Sequence, residues 1–332
     1  MSWVRGALVL VGLAIGVAAV IVVPARTDRV SDIDLAEMGV YFIAILGLNI
    51  VTGYTGQISL GHGAFMAVGG YTTAILVTDA GIRDLWTIPL AGLVAAAAGV
   101  LVGIPALRLT GLYVALATFG LAVATPQLLQ WDKLDRLTGG NEGIQLFNEE
   151  GLLGKGFADV EFLGQTLTFT RAVHYLTWGV AGILLVVAWL VLRGAPGRAF
   201  RAVRDSEVAA ASSGINLAAY KVGAFALSAF FAGVAGSLYV IGGTFVNPGT
   251  FPVVLSLTVL VGAVVAGLGS LWATVAGAAL VTFLPDLVGK VSNATGAPDT
   301  FYGLVLVLLV LLLPTGVAGG VRRLFQPLTT RS

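Results

Sequence analysis

The chain has 332 residues, 57% of them hydrophobic and only 11% charged, and its mean hydropathy is +0.95; soluble proteins carry about 25% charged residues. That balance describes a polytopic membrane protein. A net charge of +1 gives no overall attraction to nucleic acid, and the lack of cysteine excludes disulfides, thiolate metal sites and cysteine nucleophiles. The two histidines, His62 and His174, have no neighbouring cluster that would make a metal site.

A helical span needs roughly 20 apolar residues. In chain order the candidates are 6–23, 35–52, 60–78, 87–107, 111–130, 173–192, 222–243, 251–268, 271–289 and 301–318. The expected fold class is therefore an all-α polytopic membrane protein with about ten transmembrane helices. The third and fourth candidates are rich enough in Gly and Ala to be broken or short. The first, Gly6 to Val23 after Arg5, is too long for a typical signal-peptide core, and Val23-Pro24-Ala25 is a poor cleavage site, so it reads as a retained helix. Small residues four apart (Gly12 with Gly16, Gly99 with Gly103, Ala232 with Gly236) predict close helix packing.

Between the second and third candidates lies GYTGQISLGHGAF, Gly53 to Phe65, where four glycines, a glutamine, a serine and a histidine interrupt apolar sequence. Hydrocarbon offers no partner for polar or broken backbone, so such a segment must be buried in protein or line a wet cavity. Gly53, Gly56, Gln57, Ser59, Gly61, His62 and Phe65 are the candidate residues for a translocation pathway or helix break. For Gln57, Ser59 and His62, lining a pathway and merely capping the break are both open. Elsewhere the spans are almost free of ionisable groups, which argues against an ion-coupled pump or voltage sensor.

Two long connections set the expected orientation. The segment 131–172 holds seven acids against four bases, whereas 193–221 holds five bases (Arg193, Arg198, Arg201, Arg204 and Lys221) against two acids. The positive-inside rule places the second in the cytoplasm and the first outside, and the tail with Arg322, Arg323 and Arg331 inside as well. Within the outer connection, Val160 to Thr170 alternates like a small hairpin around Gly164-Gln165. Within the inner one, 194–221, the stretch from Asp205 to Gly214 is helix-compatible, with Arg198, Arg201 and Arg204 three residues apart on one side. Gly154-Lys155-Gly156 lacks the spacing of a phosphate-binding loop, so any ATPase must be a separate polypeptide.

GLNIVTGYTGQISLGHGAF (Gly47 to Phe65), IPALRLTGLYVALATFG (Ile104 to Gly120), LTGGNEGI (Leu137 to Ile144), GRAFRAVRDSEVAAASSGINLAAYKVGAFALSAFFAGVAGSLY (Gly197 to Tyr239) and the block from Val246 to Val288 together resemble the permeases of branched-chain amino-acid ABC importers, the LivM-like branch. The resemblance implies a type II-like importer permease, one transmembrane domain over 1–332, in a bacterial inner membrane. It implies partners: a paralogous LivH-like permease, two ATP-binding subunits (LivG-like and LivF-like) that hold ATP and Mg, and an extracytoplasmic substrate-binding protein. This chain itself would then be non-catalytic and carry no cofactor. By the same resemblance the ATPases would dock at Arg204, Asp205, Glu207 and Gly214, and the binding protein at Gly139, Gly140, Asn141 and Glu142. Glu207 and Gly214 stand seven residues apart where many relatives have six, and Thr258 replaces an acidic residue common near that place. Leucine, isoleucine or valine is the expected substrate class; urea or short amides in the same family, and a passive channel for small solutes, are the alternatives.

Overall fold

The computed structural model describes residues 29–80, 85–109, 111–146, 161–162, 165–166, 168–289, 303 and 316–325. The first candidate span, 6–23, and nearly all of the last, 301–318, lie outside the described residues. The helices are α1 (Arg29–Leu48), which runs on as a π-helical turn (Asn49–Tyr54), α2 (His62–Thr78), α3 (Thr87–Ala106), α4 (Leu112–Leu129), the single turn α5 (Asp135–Thr138), α6 (Phe169–Arg193), α7 (Ala195–Asp205), α8 (Glu207–Ser212), α9 (Leu217–Gly243), α10 (Val253–Ala266), α11 (Thr274–Gly289) and α12 (Gly316–Phe325). Four two-residue strands complete the set: β1 (Ile144–Gln145), β2 (Glu161–Phe162), β3 (Gln165–Thr166) and β4 (Phe245–Val246).

Among the described residues, six helical stretches are long and apolar enough to cross a membrane: Asp32–Tyr54, Thr87–Ala106, Leu112–Leu129, Phe169–Arg193, Leu217–Gly243 and Pro248–Ala266. These coincide with six of the ten expected spans, and the chain is an all-α, multi-pass membrane protein. The third candidate emerges as α2, only 17 residues long, or about 25 Å at 1.5 Å per residue, short of the roughly 30 Å hydrocarbon core. The fourth departs from expectation: α3 is a full 20 residues, with Pro105 confined to its last turn, where the missing N–H removes a donor only from the Leu101 carbonyl. Its small residues thin the helix surface instead of breaking it.

That thin surface is where the core sits. Helix α9 packs lengthwise on α3 and α2, and glycines set the spacing. A Cβ on Gly99 would stand 2.6 Å from the Cβ of Ala229, one on Gly103 3.2 Å from the Cβ of Phe225, and one on Gly236 would collide with the Met66 carbonyl. Such approach gives dispersion contact that lipid cannot replace, since lipid tails already match apolar side chains. Phe42, Phe65, Phe225, Phe231 and Phe251 fill the remaining volume as fully buried rings.

Contacts between helices also give their directions. Asp32 at the start of α1 pairs with Arg171 at the start of α6 (3.1 Å), marking one end of the molecule. Arg204 in α7 meets Gly53 at the finish of α1's π turn, marking the other. Helix α4 begins beside Arg204 and finishes near the β1–β4 pairing (Ile144 opposite Val246), and α9 runs the same way. The described parts of the two charge-biased connections thus lie at opposite ends, as the positive-inside count requires. The expected hairpin forms, with Glu161 opposite Thr166 and Phe162 opposite Gln165.

Candidate functional site

The interruption after α1 starts earlier than glycine content suggests. A π turn widens the helix over Asn49–Tyr54 and leaves regular carbonyls without their usual donors. Polar side chains take their place. Thr55 Oγ1 donates to the Val51 carbonyl (2.5 Å), Gln57 N–H donates to the same carbonyl (3.1 Å), and Thr52 Oγ1 donates to the Gln57 carbonyl (3.1 Å). Gln57 Nε2 donates to Thr55 Oγ1 (3.1 Å). Gly56 sits at φ 74°, a left-handed conformation that costs a residue with a Cβ about 1–2 kcal/mol.

Neighbouring elements hold this segment from three sides. Asn49, fully buried, accepts from Gly269 N–H through Oδ1 (2.7 Å) and donates to the Ser270 carbonyl through Nδ2 (2.9 Å), clamping the turn that follows α10. A Cβ at Gly53 would stand 2.5 Å from Gly269 N, so this crossing demands glycine. Thr118, in the middle of α4, accepts from Leu60 N–H (2.9 Å). Arg204 donates through Nη1 to the Gly53 carbonyl (3.0 Å) while its Nε and Nη2 both lie 3.1 Å from Asp205 Oδ1.

Helix α2 then starts deep in the molecule. His62 Nε2 lies 3.2 Å from Ser228 Oγ, which donates to the Gly47 carbonyl (2.7 Å). Because the serine proton is committed to Gly47, Nε2–H donates to the serine oxygen, and Nδ1 is left without a partner among the described residues. Ser228 stands eleven residues into α9, about 17 Å along its axis. Gly63 N–H, one residue on, donates to Ser256 Oγ in the first turn of α10 (2.9 Å). The N-terminal turns of α2 and α10 therefore meet inside the protein.

The candidate residues separate into two groups. Gly53, Ser59, Gly61, His62 and Phe65 are buried within the chain. Gly56 and Gln57 instead border a cavity of about 130 Å³ that they share with Thr55, Arg204, Glu207 and Lys221. Its lining comes from the interrupted segment, α4, α7, α8 and α9, so the cavity lies at the joint between these elements. Lys221 pairs with Glu207 across it at 2.6 Å.

The inner connection folds as two helices, of which α8 falls within the helix-compatible stretch Asp205 to Gly214. Ser206, extended, ends α7 and caps α8 by accepting from Ala209 N–H (3.2 Å). Gly214, at φ 80°, closes α8, with Ile215 N–H donating to the Ala210 carbonyl (3.0 Å) in a Schellman arrangement. Between them Val208 is 78% exposed. Arg204, Asp205, Glu207 and Gly214 all lie at this end. At the other end Gly139 and Gly140, both at positive φ, fold a tight turn that leaves Asn141 and Glu142 exposed. Asn49, Thr52, Thr118, Ser228 and Ser256 were not singled out in the sequence; the signal for each was a lone polar residue within an apolar span.

The chain matches the family model described as branched-chain amino acid transport system / permease component over residues 34–313. It is 36% identical over 301 residues to the high-affinity branched-chain amino acid transport system permease protein LivM of Salmonella typhimurium, covering 86% of this chain and 69% of that protein. Identity to LivM of Escherichia coli is 35% with the same coverages. The permease protein LivH of Salmonella typhimurium is 25% identical, covering 84% of this chain and 91% of its own. No solved structure gives a significant match. A polar break braced by remote side chains, a two-part helix gripping it from one end and a match over most of the length agree: the chain belongs to the branched-chain amino acid transport permease family.

Proposed function

We propose that this chain is the permease subunit of an ATP-driven importer for leucine, isoleucine or valine in a bacterial inner membrane, forming half of the translocation pathway. The observation that carries the reading is the bond from Arg204 to the Gly53 carbonyl, which ties the connection expected to receive the ATPases to the interrupted segment. The Arg204 end faces the cytoplasm and the Asn141 end faces out. ATP and Mg reside on two separate ATP-binding subunits docked at Arg204, Asp205, Glu207 and Gly214, and this chain performs no catalysis. A LivH-like permease completes the pathway, a pairing supported by similarity to both LivM and LivH. A substrate-binding protein docks on the turn Gly139, Gly140, Asn141 and Glu142.

In this mechanism ATP binding draws the docked helices α7 and α8, Arg204 moves with them, and the Gly53–Gly61 segment is pulled between two arrangements. Reconstituted vesicles holding the permease pair, the ATP-binding subunits and the binding protein test it. Leucine uptake that requires ATP supports the reading. Uptake without ATP makes the protein a passive channel, and ATP-dependent uptake of urea but not leucine moves the substrate to short amides.

A further inference from the structure

A groove of about 250 Å³ opens at the Arg204 end, away from the cavity beneath Gln57, and among its walls are Trp189, Arg193, Arg201, Ser270 and Trp272. Arg193 lies over the Trp189 ring at 4.9 Å. Arg201 spends one N–H on the Leu192 carbonyl (3.2 Å), and neither arginine meets a carboxylate among the described residues. Both tryptophans stay partly open, at 38% and 49% exposure.

The surroundings identify the occupant. The groove sits where α6, an apolar spanning helix, ends, which is the depth of the membrane boundary. Tryptophan favours that boundary because its ring is apolar while its N–H needs a polar partner. Running from the groove along α6 is an exposed apolar stripe of Ile183, Val186, Val187 and Leu190, at helical spacing. A guanidinium pair offers forked donors suited to phosphate oxygens. A phosphate at the top and an apolar stripe leading away from it match one phospholipid molecule, with its headgroup in the groove and an acyl chain along α6.

We propose that this groove is a binding site for the phosphodiester headgroup of an anionic phospholipid, held by Arg193 and Arg201. The site rests on the membrane boundary at the end of α6 and does not depend on which solute is carried. Because Ser270 also accepts from Asn49, a bound headgroup would lean on the turn that clamps the π segment.

Native mass spectrometry of the full chain in detergent, titrated with phosphatidylglycerol or phosphatidylcholine, tests the assignment. Phosphatidylglycerol should bind in preference, and Arg193→Ala or Arg201→Ala should each weaken it about fivefold. Arg198→Ala removes an equal charge from α7 outside the groove and should change binding less than twofold. Should Arg201→Ala fail to fold, Arg193→Ala and Trp272→Ala carry the comparison. Equal binding of both lipids, or an equal effect of Arg198→Ala, overturns the site. So does displacement of the lipid by inorganic phosphate at matched concentration, which would make it a free-phosphate site. A preference that vanishes once the chain is assembled with its protein partners shows the groove covered by protein, and also overturns it.

Discussion

Arg204 and Gly53 are 151 residues apart in sequence, yet Arg204 Nη1 stands 3.0 Å from the Gly53 carbonyl oxygen. The bond crosses from an amphipathic helix at one end of the molecule to the finish of a π turn. A charged donor on a backbone carbonyl contributes about 1.5–3 kcal/mol when shielded; with the side chain 40% exposed, the lower part of that range applies. We expect Arg204→Ala to reduce uptake about tenfold while ATP hydrolysis continues, and Arg204→Lys to recover part of it. Parallel uptake and hydrolysis measurements on reconstituted transporter check this; equal loss of both would place Arg204 in ATPase binding alone.

Asn49 takes the Gly269 N–H and shares the Ser270 carbonyl with the Thr274 hydroxyl. Asn49→Ala removes the side-chain partner of the Gly269 N–H, at about 1–3 kcal/mol, and one of two side-chain donors to the Ser270 carbonyl. The expected result is a melting temperature lower by about 5 °C or more. Unchanged melting in detergent would mean that water replaces the side chain there.

Gln57 and His62 should fail differently. Gln57 borders the cavity beneath Arg204, whereas His62 is buried against Ser228. Gln57→Ala is expected to slow uptake with stability preserved, and His62→Ala to lower stability first. Measuring both quantities on both variants separates a moving joint from a packing pin.

The chain has no cysteine, so single cysteines report docking cleanly. Gly214 is a poor place for one because its φ of 80° strains any side chain. Val208, 78% exposed on α8, is the better probe. Val208→Cys should crosslink to a cysteine on the ATP-binding subunit, and buried Val203→Cys should not; silence at both Val208 and Ser212 would move the docking surface elsewhere.

Glycines on α9 and α6 should tolerate alanine oppositely. A Cβ on Gly236 collides with the Met66 carbonyl, so Gly236→Ala should destabilise by at least about 1–3 kcal/mol. Gly182, with nothing within 4 Å, should gain up to about 1 kcal/mol of helix propensity. Thermal unfolding of the isolated chain compares them.

The spans and the opposite placement of the two charged connections were legible because hydropathy and charge are local properties of sequence. The break after α1 was also legible, since lipid excludes Gln57, Ser59 and His62 unless something receives them. What receives the segment was not. Thr118, Ser228 and Ser256 lie far along the chain, and nothing in a single apolar helix tells that their hydroxyls will meet Leu60 N–H, His62 and Gly63 N–H. The same holds for Gly53, which marks a crossing whose other half is Gly269. Ser206, unremarkable in sequence, separates α7 from α8 because its hydroxyl caps α8.

Helix α10 touches the α1–α2 unit at its head, waist and tail. Ser256 takes the Gly63 N–H, Gly262 lies so close to Ile45 that a Cβ would overlap it, and the exit turn is clamped by Asn49. A strut fastened at three points cannot slide against its frame without breaking several buried bonds at once. Any displacement that keeps them carries α1, α2 and α10 together as one block. The single bonds from Thr118 and Arg204 are the lighter attachments, joining that block to α4 and α7.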